Sequence, residues 1–450
     1  MKRWNLLLLA CMCLGSVCTA QADTLSLSEA VGTALIFNQE LAAARADIAV
    51  AAAKLQQLRS QGRLQAGLDL SFTHLETAPL LEVPPIDIPL LHTSITLQPF
   101  ALSKQDMLRS SLSLQKVLST GGRIEYGEAQ IKEAVAALEA RVEAKADEIA
   151  MSTVKAYLGA VLAQRMAEVA EQAYRVVERH VSQAEAVFKA GMVPRYEVIR
   201  AQTELANQDR RRLDAHNQVD LALNLLQDFM GVTLEEPPVL STSFSGKENM
   251  DEELEEMIRS VMQSSPAIKA LQARDRLYSA AAASARAERR PVIGAAIGLE
   301  LYREDLPLTT PEGYAGIVAR FPILDGGLSQ AREAEQLALK ERNVADMQRL
   351  QNGLRLEVKK YYFDLNSARK ALQAADKAVE LASENLRLAT RRFEVGEGTS
   401  IEKVDAVLAL SLAVANREQA CYQYDLSYYG LRKAAGRIRT ELDGGMKDNG

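Results

Sequence analysis

A chain that carries its own pattern twice can only fold as two like halves joined to each other, and this sequence does so over most of its length. At an offset of 205 residues Gly121-Gly122 falls on Gly326-Gly327, Tyr157 on Tyr362, Phe188 on Phe393, Gly191 on Gly396, Glu197 on Glu402, Ala201 on Ala406, Leu205 on Leu410 and Gly231 on Gly436, with no gap. Upstream, Asn38-Gln39-Glu40-Leu41 matches Ser265-Pro266-Ala267-Ile268 at an offset of 227, so the first half holds 22 extra residues before its Gly-Gly pair. They belong to Thr77–Gln105, where Pro79, Pro84, Pro85, Pro89 and Pro99 mark a loop and not a core element. The first repeat is expected over 23–236, a linker over 237–250, the second repeat over 251–436 and a tail over 437–450.

Proline placement outlines the helices. None lies between Pro99 and Pro194 or after Pro322, so long uninterrupted helices are allowed there. Ile131, Val135, Leu138, Val142, Ile149, Thr153, Tyr157 and Val161 recur mostly at spacings of three and four, which predicts a helix over 122–190, with its copy over 328–393. At 1.5 Å per residue each is a rod of roughly 100 Å. Shorter helices are expected over 27–64 and 195–230 and over 266–290 and 400–436, and each pair sums to about the same length. Tips over 191–194 and 394–399 join the long helices to the return helices. Helices this long and alanine-rich build coiled-coil hairpins, and hence a bundle or a tube.

A period of two precedes each long helix. Leu68, Leu70 and Phe72 alternate with Asp69, Ser71 and Thr73, and Leu112 and Leu114 with Ser111, Ser113 and Gln115. Ala295, Ile297, Leu299 and Leu301 alternate with Gly294, Ala296, Gly298 and Glu300, and Ala315, Ile317, Ala319, Phe321 and Ile323 with Tyr314, Gly316, Val318 and Arg320. Two β-hairpins, 66–118 and 291–323, follow from this pattern. Four strands of about ten residues fit either transmembrane β-strands or a small soluble sheet. Export selects the membrane: Lys2 and Arg3, the apolar run Leu6 to Val17 and Ala20-Gln21-Ala22 form a signal peptide over 1–22. Lipidation at Cys11 or Cys18 is the competing reading of that segment. Four strands cannot close a barrel in lipid, so several copies must contribute, and three copies give twelve strands around an aqueous lumen.

Composition removes other classes. Loss of Lys2 and Arg3 lowers the formal net charge of −6 by two, to −8, an acidic balance that gives no support to nucleic-acid binding. Past residue 22 only Cys421 remains, so no internal disulfide forms. His74, His92, His180 and His216 lack metal-ligand spacing, and neither a nucleophile elbow nor a phosphate-cradling loop is present, so neither an enzyme nor a cofactor or metal site is expected.

The order helix, strand, strand, Gly-Gly, long helix, Phe-x-x-Gly tip and return helix, stated twice, resembles the TolC-like outer membrane efflux proteins from about Leu25 to Gly436. Leu25-Ser26-Leu27-Ser28-Glu29-Ala30, the tips Phe188-Lys189-Ala190-Gly191 and Phe393-Glu394-Val395-Gly396, and Leu431-Arg432-Lys433-Ala434-Ala435-Gly436 carry the likeness. The resemblance implies a mainly α fold with a small β part. A homotrimer would combine a twelve-stranded barrel in outer-membrane lipid with a periplasmic α-barrel of coiled-coil hairpins, serving as the exit duct of a tripartite efflux or type I secretion system. It also implies a periplasmic adaptor and an inner-membrane transporter as partners. A periplasmic coiled-coil adaptor or scaffold without a pore is the alternative, although an adaptor would have one hairpin flanked by β-rich domains.

By the same resemblance Glu402 and Asp405 occupy the positions of paired constriction acids. Three residues apart, they share a helix face, and three copies would form a ring that attracts cations. Thr399-x-x-Glu402 is also a capping box, which accounts for Glu402 without a gate. In the first repeat Glu197 matches Glu402, but Arg200 stands where Asp405 does, and it could pair with Glu197 or with an acid of the other tip. Phe393 and Gly398 depart from the tyrosine and arginine that latch some relatives. Gly191, Met192, Val193, Val395, Gly396 and Gly398 form the turns, whose glycines suit positive φ and whose exposed apolar residues suit an adaptor hairpin. Arg286, Arg289 and Arg290 stand before a strand, where they meet either lipid headgroups or solvent.

Overall fold

A computed structural model describes residues 24–444 except 78–79, 83, 85, 89–92, 96–97, 102–104, 235–237, 242–243, 245–252, 304–311 and 396. The expected signal peptide, Gly396 and His92 therefore lie outside the described residues. In chain order the structure has β1 (Thr24–Leu25), α1 (Leu27–Phe37), α2 (Gln39–Gln61), β2 (Gln65–His74), the short strands β3 (Leu80–Leu81), β4 (Ile86–Ile88), β5 (Thr93–Ile95) and β6 (Phe100–Ala101), then β7 (Asp106–Ser119), α3 (Arg123–Lys189), α4 (Arg195–Met230), β8 (Val239–Leu240), α5 (Leu254–Ser264), α6 (Pro266–Ala287), β9 (Val292–Arg303), β10 (Glu312–Arg320), α7 (Leu328–Glu394), α8 (Ser400–Ala434) and α9 (Ile438–Gly444). The fold is mainly helical with a small sheet part. Among the described residues no helix is long and apolar enough to cross a membrane.

Element bounds repeat at the two offsets. α1 and α5 begin and end 227 residues apart, β2 and β9 begin 227 apart, and α3 and α7 begin and end 205 apart. The stretch read as one helix over 27–64 is two helices, because Asn38 turns the backbone to φ −62, ψ 126. Its Oδ1 then accepts the N–H groups of Glu40 at 3.0 Å and Leu41 at 3.3 Å, which starts α2. Ser265 makes the matching break between α5 and α6. Ser26 caps α1 with a full capping box: its Oγ accepts from the Glu29 amide, and its own N–H donates to Glu29 Oε2 at 2.8 Å. The Ser26 hydroxyl also donates to Glu29 Oε2 at 2.7 Å, and this bond first, with the Ser26 N–H second, holds the Glu29 carboxyl below its ordinary pKa.

The chain divides into two compact units. The unit made of Met1–Ala46, Glu139–Lys269 and Met347–Gly450 holds two apolar clusters that are copies of each other. Ala30 and Val31 of α1 pack with Val154 and Tyr157 of α3 and Leu226 of α4. Met257 and Ile258 of α5, at the positions of Ala30 and Val31, pack with Val358 of α7 and Leu431 of α8. Tyr157 is fully buried, and its hydroxyl donates to the Leu25 carbonyl at 2.8 Å. The segment read as a linker holds β8, which pairs in parallel with β1. The segment read as a tail holds α9, whose Ile438 and Leu442 join the first cluster. An apolar pair four residues apart on a short helix needs a core to cover it, and no periodic run announced it in the sequence.

The second unit, Asp47–Leu138 and Ala270–Asp346, holds a four-stranded antiparallel sheet in the order β10-β9-β7-β2. Leu112 of β7 faces Leu68 of β2 on one side and Leu299 of β9 on the other, and Ala315 of β10 faces Ile297. Because side chains alternate, this register places Leu68, Leu70, Phe72, Leu112, Leu114, Ile297, Leu299, Ala315 and Ile317 on one face. Gly67, Asp69, Ser71, Ser111, Ser113, Gly298, Tyr314 and Gly316 fill the other. Leu70 stays 72% exposed and Ile317 73%, so no other part of the described chain covers the apolar face. The helix pairs of this unit also repeat: Arg59 meets Glu128 at 3.1 Å, and Arg286 meets Glu333 at 2.6 Å, at matching positions. The proline-rich loop 77–105 carries two small ladders, β3 with β6 and β4 with β5.

Gly231 and Gly191 share a φ of 72, but a Cβ on Gly231 would lie 2.6 Å from the Phe37 carbonyl oxygen, whereas one on Gly191 would meet nothing within 4 Å. Gly191→Ala should cost about 1–2 kcal/mol for its left-handed backbone alone. Gly231→Ala should cost clearly more, because α1 must also shift; thermal unfolding of the two variants followed by circular dichroism measures the difference.

Candidate constriction at the helical tips

α3 ends in a Schellman turn: the Gly191 N–H donates to the Phe188 carbonyl at 2.8 Å and the Met192 N–H to the Val187 carbonyl at 3.1 Å. The positive φ this turn needs is supplied by Gly191. Pro194 caps α4 without a side-chain bond, and Val181, Ala184, Val198 and Ala201 close the hairpin with Leu205 against them. At the second tip the Glu397 and Gly398 N–H groups both donate to the Arg392 carbonyl at 2.9 Å. A Cβ on Gly398 would lie 3.0 Å from the Phe393 amide nitrogen, so this close backbone crossing calls for glycine. Thr399 caps α8 by accepting the Glu402 N–H at 3.2 Å.

The two proposed acids have different surroundings. Glu402 Oε2 lies 3.5 Å from Arg392 Nη1 of its own hairpin, and both side chains are about half exposed, so the pair is weak. Asp405 sits one turn further along α8, and among the described residues no cation pairs with it. It lines a cavity of about 240 Å³ together with Glu197, Arg200, Glu204 and His180. Glu197, Arg200 and Asp405 are thus brought together between α4 and α8, whereas Glu402 is not among the residues lining that cavity. The suggested Arg200–Glu197 ion pair does not form among the described residues; Arg200 Nη1 donates instead to the Tyr196 hydroxyl at 3.5 Å.

Met192 is 76% exposed and Val395 66%, while Val193 is half-buried. Tyr196 and Ile199 on α4 are also exposed apolar residues of the first tip.

Sequence reasoning missed the group that ties the two tips together. His180 of α3 is buried, and its ring stands edge-on to Phe393 of α7 with centroids 6.3 Å apart. Lys403 of α8 lies 5.2 Å from the centre of the same Phe393 ring and donates to Gln183 Oε1 of α3 at 3.1 Å. Burial first, and the Lys403 charge second, push the His180 pKa down, with Glu197 opposing; burial likewise lowers Lys403. His180 continues the stripe Val177, Val181, Ala184 at helical spacing, and a histidine on an apolar stripe was the available signal. Among the described residues no group of histidine, cysteine and acidic residues is placed to hold a metal.

Residues 257–437 match the family model for outer membrane efflux proteins. Protein CyaE of Bordetella pertussis is 27% identical over 342 residues, covering 73% of this chain and 70% of that protein. The Campylobacter jejuni CmeC outer membrane channel superposes with a TM-score of 0.75 at 17% identity, over 94% of this chain and 88% of that one. The open state of the Neisseria gonorrhoeae MtrE outer membrane channel gives 0.72 at 17% identity, over 92% and 89%. The chain is thus similar to the outer membrane efflux proteins, through a family match on residues 257–437 and through a fold shared with these channels over most of its length.

Proposed function

We propose that this chain works in the outer membrane as a homotrimer, a passive exit duct for an efflux or type I secretion system that closes at its helical tips. The carrying observation is the sheet. Its four strands present one continuous apolar face, and β10 and β2 end it with unpaired edges. Lipid solvates the face but cannot satisfy the edges, so the strands of further copies must close the wall. Three copies give twelve strands, and the small and polar side chains of the opposite face, such as Gly67, Ser111, Ser113, Gly298 and Gly316, leave a lumen open to water. A pore-free scaffold has no use for a nine-residue or longer apolar strand set of this kind.

Closure is assigned to Asp405, with Glu197 and Arg200 beside it and Glu402 held one turn away by Arg392. The exposed Met192 and Val395 and the half-buried Val193, with Gly191 and Gly398 at the turns, provide the surface for a periplasmic adaptor that links the duct to an inner-membrane transporter. The match of residues 257–437 to the outer membrane efflux proteins and the packing of the tips support this reading. Transport energy then comes from the transporter, and the duct opens when its tips are drawn apart.

In planar bilayers the purified protein should conduct, and Asp405→Ala should lower cation selectivity more than Glu402→Ala, whose carboxylate is already offset by Arg392. Equal conductance and selectivity in the parent and the double variant would remove the acids from the constriction.

The burial of His180 gives the tips a pH dependence. Its pKa is depressed in the folded state, so the unfolded chain binds the proton more readily. Tip stability should be level above the unfolded value of about 6.5 and fall as the pH drops below it. Limited proteolysis of the tips between pH 7.5 and 5 should speed up on acidification in the parent, and His180→Gln should flatten the profile.

A further inference from the structure

We propose that neighbouring copies join along a seam that repeats the joint between the two halves of one chain: β10 pairs antiparallel with β2 of the next copy, Ile317 stands opposite its Phe72, and its Arg63 donates to the Gly326 carbonyl. The proposal rests on the homo-oligomer put forward above and specifies how its copies engage.

The template lies inside the chain. The halves meet where β7 pairs with β9, Leu112 opposite Leu299, and where the corner between α6 and β9 closes on the Gly-Gly corner before α3. Arg290 Nη1 donates to the Gly121 carbonyl at 3.2 Å, and a Cβ on Gly121 would lie 2.5 Å from Arg290 Cβ and 3.2 Å from the Pro291 carbonyl oxygen. The repeat offsets of 205 and 227 carry Gly121 to Gly326, Leu112 to Ile317, Leu299 to Phe72 and Arg290 to Arg63. The second set is the same machinery with nothing on it. Gly326 and Gly327 keep positive φ of 64 and 86, yet a Cβ on either would meet nothing within 4 Å. Arg63 follows the same turn as Arg290, its N–H donating to the Ser60 carbonyl at 3.0 Å as that of Arg290 does to Ala287 at 3.0 Å. Among the described residues the Arg63 guanidinium has no partner, and the apolar residues Ile323 and Leu324 beside Gly326 are 90% and 91% exposed.

The template also fixes the register. With Ile317 opposite Phe72, Ala319 stands opposite Leu70 and Phe321 opposite Leu68, so the apolar face runs on unbroken from copy to copy. A slip of one residue would set Ile317 against Ser71 or Thr73 and turn one strand over. A slip of two keeps the faces but carries Arg63 about 7 Å along the strand, out of reach of Gly326. The arginine thus selects among registers that the apolar pattern cannot separate. Two other polar contacts of the internal joint have no counterpart at the seam. Arg276–Glu133, at 2.8 Å, maps to Ala49 and Ala338, and the bond from Arg123 Nη2 to the Glu288 carbonyl maps to Leu328 and Gln61. Arg63 is the polar latch that remains.

The test uses cysteine pairs in the full chain, oxidised in intact membranes and run on non-reducing denaturing gels. Cys421 stays in place, since burial pushes its thiol up to about 11. Residues directly opposite in an antiparallel pair have Cα atoms roughly 4.5–5.5 Å apart, within disulfide range, whereas diagonal neighbours at about 7–8 Å are beyond it. Ile317→Cys with Phe72→Cys should therefore form a covalent ladder of copies, and Ile317→Cys with Leu70→Cys or His74→Cys should form little. Dominant linking in either of the last two pairs overturns the register. Absence of linking in all three, with a native size that is still oligomeric, overturns the seam but not the oligomer, whereas a monomeric native form overturns the oligomer itself. Arg63→Ala should lower the temperature at which the oligomer dissociates in detergent and spread linking into the slipped pairs; unchanged values for both reject the latch.

Discussion

Everything in the sheet unit depends on one register, the pairing of β7 with β9 that sets Leu112 opposite Leu299. Each hairpin alone would sort its own side chains, but only this pairing between the halves makes the two apolar faces one surface. Side chains alternate with a period of two, so a single-residue slip here would mix leucines with serines and glycines on both faces. The Gly-Gly corner before α3 fits that register. Gly121 lets the Arg290 side of the α6–β9 corner come close, and the Arg290 guanidinium then bonds its carbonyl.

The helical unit answers a different constraint. Long helices with so much alanine bury little area per residue, so the side chains that do the sealing are few and specific. Around α1 they are Val31, Val154, Tyr157 and Leu226, and around α5 Ile258, Val358 and Leu431. The duplication carries Ala30, Val31 and Leu226 onto Met257, Ile258 and Leu431, while Val154 and Val358 stand one residue out of step. α9 then fills the first cluster with Ile438 and Leu442, breaking the equality of the two halves.

At the tips the halves are least alike. Arg200 in place of an acid, Pro194 in place of Thr399, and a histidine packed on the aromatic ring of the opposite hairpin make the two turns chemically distinct. Asp405 and Glu402, equal by spacing, separate by partner: Arg392 holds one, and the other faces a cavity with Glu197 and Arg200. The buried His180 and the half-buried Lys403 around Phe393 join α3, α7 and α8 at a place where each hairpin by itself would end free.

By itself the sequence determined the duplication, the two long helices, the alternating strands and the glycines at the turns, because these depend on period, proline and spacing, which are local properties of a chain. It also placed Glu402, Asp405, Glu197 and Arg200 near the tips, since an offset of 205 locates them without coordinates. Tertiary structure alone decided the partners. Asn38 donating to the Phe229 carbonyl, Ile438 entering a core far away in sequence, Arg392 claiming Glu402 across the tip and His180 meeting Phe393 are all contacts between separate elements. Such contacts are set by how packed elements approach one another, and no pattern along a single strand or helix contains that distance.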